Sequence, residues 1–401
     1  MIKISTCLLI ILSILCSINS LATTNSNGTK VKLQGGFDFQ SAFHDHNVKQ
    51  ALYLSRLNKQ VAFNSSGHMN LDIKNTDNDA VNFGAKIGLE ITSKNDRKAA
   101  SSLYLITNYG KLELGSDKSA TNKMKITGYS VGAGTVGSWD SWTRLVRYPD
   151  KIAYIVNFGN FLDSKTREGE KVEYSRKITY FSPNISGFQL GISYIPDSTN
   201  TGYAKHNNPV HHNLAKPLKL SFAIKDGIGY GLSFEHKASS DLKIKTALVG
   251  ERGITRVKPC CKSIENKSIE KYTNLNTYLI GSEIHYKEYA LAASYGNYLR
   301  SLTSPDIDES SRSTYLYGIG GRYEYSAKIA TSLHYFFSNH KSNKFNAITL
   351  AADYKIASGL LTYAETTHYT TNGQFFNTKT KKISYDKTKG TLLLVGLKLE
   401  F

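Results

Sequence analysis

This chain is short of the residues that usually hold a fold together from outside its core: 401 residues carry four cysteines and seven prolines. Two of the cysteines, Cys7 and Cys16, lie in an N-terminal apolar segment, and the other two, Cys260 and Cys261, are neighbours. Adjacent cysteines close only a strained ring, so a disulfide scaffold is excluded. There is no Pro/Gly/Ser-rich linker and no shift in composition, so nothing marks a boundary between domains. Long apolar runs are missing too. The one candidate, CLLIILSILCSI, is too short to cross a bilayer comfortably as a helix. Acid is also scarce, with 32 Asp and Glu against 50 Lys and Arg. The net charge of +18 points to anionic neighbours.

What is present begins at the N-terminus. Lys3 precedes the apolar run, and Ser20-Leu21-Ala22 places small residues where a signal peptidase reads. Residues 1–22 read as a secretory signal peptide cleaved after Ala22, which leaves 23–401 as the mature chain. Against the few prolines stand 31 glycines and 26 tyrosines.

Alternation with a period of two recurs from Val31 almost to the end. In VNFGAKIGLEI, Val81, Phe83, Ala85, Ile87, Leu89 and Ile91 share one face, while Lys86 and Glu90 lie on the other. In TYLYGIGGRYEY, Tyr315, Tyr317, Ile319 and Tyr323 oppose Leu316, Gly318, Gly320, Arg322 and Glu324. The terminal GTLLLVGLKLEF sets Leu393, Val395, Leu397, Leu399 and Phe401 against Gly396, Lys398 and Glu400. One face is apolar and the other small or charged, which suits a wet interior better than a packed core.

Link lengths also alternate. Tight turns are expected at 108–110, 183–186, 239–241, 287–288, 326–327 and 357–358, and long polar loops at 197–226, 252–274, 301–312 and 371–389. A soluble sandwich has no reason to sort its loops in this way. An all-β transmembrane antiparallel barrel does, with short periplasmic turns and long external loops. About sixteen strands are expected, at roughly ten residues per tilted membrane strand. The stretch LKLSFAIKDGIGYGLSFEHK reads either as one long bulged strand or as a loop hairpin followed by a strand.

Three places carry a resemblance. The terminal strand ending in Phe401 resembles the C-terminal signature of outer-membrane barrels, RKITYFSPNISGFQLGISYIP resembles a central hairpin of the general bacterial porins, and YGKLELGSDK is similar to the strand leading into their constriction loop. The resemblance implies a homotrimer of sixteen-stranded, water-filled barrels in the bacterial outer membrane. It also implies that Phe401 is a signal for the barrel-assembly machinery. Some relatives carry arginine before the Ser-Pro turn, where this chain has Thr179.

A pore selects by width and field at its narrowest point. By the resemblance, residues 117–171 form the constriction loop folded inward. Its stretch SVGAGTVGSWDSWTRL is rich in glycine, which permits sharp bends, and Trp139 and Trp142 are expected to anchor it. Among the loop acids, Asp140, Asp150 and Asp163 are the candidates for the eyelet. On the facing wall, alternation puts Lys74, Lys86, Lys111 and Arg322 toward the lumen, with Lys243, Lys245 and Lys355 elsewhere on it. The whole segment carries nine cations against six acids, which argues for a weak preference for anions.

The expected function is passive diffusion of ions and small hydrophilic solutes. Rival readings are a substrate-selective porin, a surface adhesin or antigen barrel, and an outer-membrane lipase or protease barrel. No nucleotide-binding loop or catalytic triad stands out, so no enzyme activity and no cofactor is expected. His206, His211 and His212 lack the regular spacing of a metal site. No nucleic-acid-binding module is apparent, and outer-membrane lipid and lipopolysaccharide are the anionic neighbours expected instead.

Overall fold

In the computed structural model, the described residues are 28–46, 61–75, 81–92, 97–136, 162–163, 174–198, 221–258, 273–301, 314–340, 343–377 and 382–401. Sixteen strands follow one another: β1 (Thr29–His46), β2 (Val61–Asn75), β3 (Asn82–Thr92), β4 (Arg97–Thr107), β5 (Gly110–Ser116), β6 (Arg176–Phe181), β7 (Phe188–Asp197) and β8 (Ser221–Lys237). The second half comprises β9 (Leu242–Lys258), β10 (Leu275–Tyr286), β11 (Tyr289–Leu299), β12 (Thr314–Glu324), β13 (Ile329–His340), β14 (Asn343–Ala357), β15 (Leu360–Asn377) and β16 (Lys382–Glu400). A short helix, α1 (Ala120–Met124), follows β5. Each strand pairs antiparallel with its neighbours in sequence, and β1 pairs with β16 to close the barrel. Closure leaves no open edge, so every strand has a ladder partner on both sides.

The two faces sort as the alternation requires. On β4, Leu103 is 61 % exposed while its neighbour Ser102 is 7 % exposed. Leu103 faces outward, where hydrocarbon takes the place of water. Phe37, Phe63, Ile87, Leu291, Leu333 and Leu397 are exposed on the same outer face. At the tight-turn end the outer face carries the aromatic pairs Phe188–Phe234 and Tyr289–Tyr323, with centroids 4.6 and 4.8 Å apart. Toward the other end Tyr317 stacks on Phe337 at 4.9 Å. Two aromatic belts bracketing an apolar band fit the two membrane–water interfaces. Phe401 lies in the first belt, its backbone exchanging both hydrogen bonds with Gly35 at 2.9 Å.

Of the two readings of LKLSFAIKDGIGYGLSFEHK, the structure has the single long bulged strand, β8, with a register shift between Lys225 and Ile228 against β9. Other boundaries differ from the sequence reading. Strand β9 continues past Arg252 to Lys258, and the loop expected over 371–389 is largely β15 and β16 paired out to Asn377↔Lys382. These extensions reach beyond the apolar band, where both faces meet water. The ladder persists there without any need for hydrophobic alternation, so the sequence shows no strand signal.

Candidate functional site

The segment after β5 turns inward and runs along the inner wall. It starts from a cluster of charges. Lys123 pairs with Glu113 and, at 2.7 Å, with Asp117, while Lys111 reaches Glu113 at 2.6 Å. Asp163 accepts the Ser119 backbone N–H at 2.8 Å, pairs with Lys177 at 3.3 Å and accepts the Asn122 amide. Burial alone would raise the Asp117 carboxyl, yet the Lys123 ammonium holds it below the usual carboxylate range. Conversely, burial opposes the charge on Lys123, but Asp117 and Glu113 raise its affinity for the proton above that of an ordinary lysine. Burial pushes the Lys125 ammonium down to about 8, with Asp163 and Glu251 only partly opposing the shift.

From α1 onward the segment is fastened strand by strand. Ala120 N–H donates to Ser193 Oγ on β7 at 2.8 Å, and the Thr121 hydroxyl to the Gly250 carbonyl on β9 at 2.7 Å. Gly128 N–H reaches Ser294 Oγ on β11 at 3.0 Å, and Ala133 N–H reaches Ser332 Oγ on β13 at 2.9 Å. Gly134 N–H points at Asp353 on β14, and Thr135 binds Glu365 on β15. Wall side chains thereby satisfy backbone groups that irregular chain cannot pair with itself. Two close approaches make this possible. A Cβ at Gly281 would collide with the Ile126 carbonyl, and one at Gly128 with the backbone of Gly318. Glycines on the inner face of β10 and β12 are therefore the room in which the segment lies.

The wall bonds of the segment fall on strands from β5 round to β15. Lys74 and Lys86, on β2 and β3, lie across the barrel from β10 and β11. The ammonium groups of Lys86 and Lys111 stand 5.4 and 5.3 Å from the centre of the Tyr104 ring. The Tyr104 hydroxyl donates to Asp72 at 2.8 Å, and Asp72 is the register partner of Lys86. Lys74 pairs in register with Gly84, over which the Tyr104 phenol lies.

Arg322 is placed differently. It lies behind the segment, bound to the Gly132 carbonyl at 3.2 Å, to Asp353 at 3.3 Å and to Glu324 at 3.0 Å. Through Nε and Nη1 it ties the Gly132 carbonyl of the segment to Glu324 and Asp353 of the wall. Lys243 and Lys245 are paired with Glu235 and Glu283. Asp163 is buried, 2 % exposed, within the charge cluster at the start of the segment. Asp140, Asp150, Trp139 and Trp142 lie outside the described residues, as do the signal segment, the histidine cluster and the Cys260–Cys261 pair.

Two features escaped sequence reasoning. Thr179 hydrogen-bonds Ser193 at 2.7 Å, the same hydroxyl that receives Ala120 N–H, so this position anchors the start of α1. An aromatic ladder also runs from Tyr129 on the segment along the inner wall, Tyr129–Phe336–Phe345–Tyr369, with centroids 5.8, 6.1 and 6.3 Å apart. The sequence signal for it was apolar residues on both faces of β13 and β14, which alternation alone does not interpret.

The sequence model of the Gram-negative porins matches residues 10–374. An uncharacterized protein of Rickettsia bellii is 34 % identical over 94 % of both chains, and one of Rickettsia typhi is 33 % identical over the same share. Among solved structures, an anion-selective porin from Comamonas acidovorans superposes with a TM-score of 0.61 at 16 % identity, covering 93 % of this chain and all of that one. A loop-deletion mutant of OmpT, an outer-membrane protein of Vibrio cholerae, gives 0.54 at 13 % identity, covering 93 % of this chain and all of its own. A closed sixteen-stranded barrel, an inner wall with a segment laid along it, and a family match over most of its length have one reading: the chain belongs to the Gram-negative porins and forms an outer-membrane porin channel.

Proposed function

We propose that the channel passes ions and small hydrophilic solutes through an eyelet bounded by the inward segment and the wall of β1 to β5, with a weak preference for anions. The observation that carries this is the placement of charge. Lys74 and Lys86 belong to β2 and β3, across the barrel from β10 and β11, and Lys111 belongs to β5, beside Glu113 where the segment begins. Over residues 117–136 the segment contributes Asp117 against Lys118, Lys123 and Lys125. A confined pathway lined by one sign concentrates the opposite ion, and salt weakens the effect. The Comamonas acidovorans porin is anion-selective, and its similarity to this chain supports the fold alone.

The same reading includes export by a cleaved signal over residues 1–22, assembly through a terminal strand closing on Phe401, association as a homotrimer, and lipopolysaccharide as an outer-leaflet neighbour. The deciding experiment is conductance of the purified barrel in a planar bilayer across a potassium chloride gradient. Ohmic channels are expected, with a reversal potential of anionic sign that grows at low salt. A folded barrel that does not conduct would overturn the diffusion pore. A clear cation preference at both low and high salt would overturn the placement of the basic wall.

A further inference from the structure

On the outside of the barrel, the loop ends of strands β8 to β11 line a cavity of about 850 Å³. Its lining includes Asp226, Ile228, Arg252, Ile254, Leu299 and Arg300. Arg252 and Arg300 are exposed, and among the described residues neither has an ion pair. The Asp226 carboxylate already accepts the Tyr194 hydroxyl at 3.0 Å.

The cavity is built by two irregularities. One is the register shift between Lys225 and Ile228 on β8, and the other is the shift between Asn297 and Leu299 on β11. At each, a residue other than glycine takes a left-handed backbone: Asp226 with φ 48° and Leu299 with φ 49°. For leucine this conformation is unfavourable, and it persists only where the surroundings enforce it. Here Leu299 N–H donates to Asn297 Oδ1 at 2.6 Å. The Ser301 hydroxyl donates to the Asn276 carbonyl at 2.7 Å and accepts its N–H at 2.8 Å. Bulges and locked strain of this kind re-aim side chains, and here they turn two arginines toward one hollow.

Depth identifies what the hollow meets. Arg252 lies ten residues along β9 from Leu242 at the tight-turn end, and Leu299 ten along β11 from Tyr289. Ten residues rising about 3.3 Å each and tilted about 40° climb about 25 Å, the height of the apolar band. The arginines therefore sit where hydrocarbon gives way to headgroups. Directly membrane-ward, Leu248 and Ile280 are exposed on the same face. A ligand that fits has a phosphate for two guanidinium forks and an acyl chain for the wall below them.

We infer that this outer cavity binds a phosphate-bearing lipid of the outer leaflet, with its headgroup phosphate between Arg252 and Arg300 and an acyl chain along Leu248 and Ile280. The inference rests on the porin reading for the direction of the loops.

The test uses the full mature barrel in uncharged detergent, titrated with diphosphorylated lipid A, with the same lipid stripped of its phosphates, and with inorganic phosphate. Saturable binding of the phosphorylated lipid is expected, weakened about tenfold by R252Q or R300Q and unaffected by K344Q, an exposed rim cation on β14 outside the cavity. Equal binding of the stripped lipid would overturn the inference. So would competition by millimolar inorganic phosphate, which would mark a site for the free anion, or an equal loss in K344Q, which would mark diffuse surface charge. Binding of a second barrel in place of lipid, seen as a change in mass, would overturn it as well. Bilayer conductance of the same variants separates the two readings. A conducting barrel without lipid binding removes only this site, and a folded barrel that fails to conduct removes the pore.

Discussion

Thr135 donates both its backbone N–H and its hydroxyl to one carboxylate oxygen of Glu365, at 2.5 and 2.7 Å. The two residues are 230 positions apart, and the contact holds the inward segment against β15 on the far wall. Glu365→Ala removes both bonds and leaves two donors without their acceptor, a loss of about 2 kcal/mol at this contact. The segment should then fluctuate. Single-channel recordings of the variant are expected to show a noisier open level, and Glu365→Gln, which keeps an acceptor, a quieter one. A noise spectrum identical to the parent's would mean that other contacts hold the segment unaided.

The wall lysines should differ from Arg322 in what they control. Changing Lys74, Lys86 and Lys111 to Gln removes charge from the proposed eyelet and should move the reversal potential toward zero. Arg322→Gln instead loosens Gly132 and Asp353, so it should alter conductance fluctuations more than selectivity. Equal shifts in reversal potential from Arg322 and from any one wall lysine would contradict this division.

Selectivity should depend on pH through Lys125. Its ammonium is held down to about 8, against 10.5 for an ordinary lysine. Raising the pH from 7 to 9 therefore neutralises one cation of the segment and should weaken the anion preference. The sign for stability is opposite. A lysine whose proton binds less tightly in the folded state destabilises the barrel while charged, so folding gains as pH rises through about 8. Lys125→Met should abolish the selectivity step over this range. A step that survives the substitution would place the titrating group elsewhere.

The glycines that admit the segment should resist enlargement. Gly281→Val drives a side chain into the Ile126 carbonyl, and overpacking of this kind costs about 1–3 kcal/mol. The variant is expected either to assemble poorly or to carry a displaced segment with altered conductance. Gly67→Ala, where a Cβ meets only ordinary contacts on the outer face, should match the parent in heat-modifiable mobility and conductance.

Much of this molecule was legible in its sequence. Period-two alternation, tight turns separated by long links, and a terminal strand closing on Phe401 led to a membrane barrel of about sixteen strands. These are local consequences of backbone geometry and of a single solvent boundary, so each can be read within ten or twenty residues. The same parity set Lys74, Lys86, Lys111 and Arg322 on one face of their strands as candidates for the lumen. Parity does not say what stands opposite a side chain. Only the closed barrel brings Gly132 onto Arg322, turning a wall cation into a fastening for the segment. Only it buries Asp163 beside Lys177, and only it shows β15 and β16 continuing beyond the apolar band. Those outcomes depend on contacts between residues far apart in the chain, and a one-dimensional pattern carries no information about which distant groups share a wall.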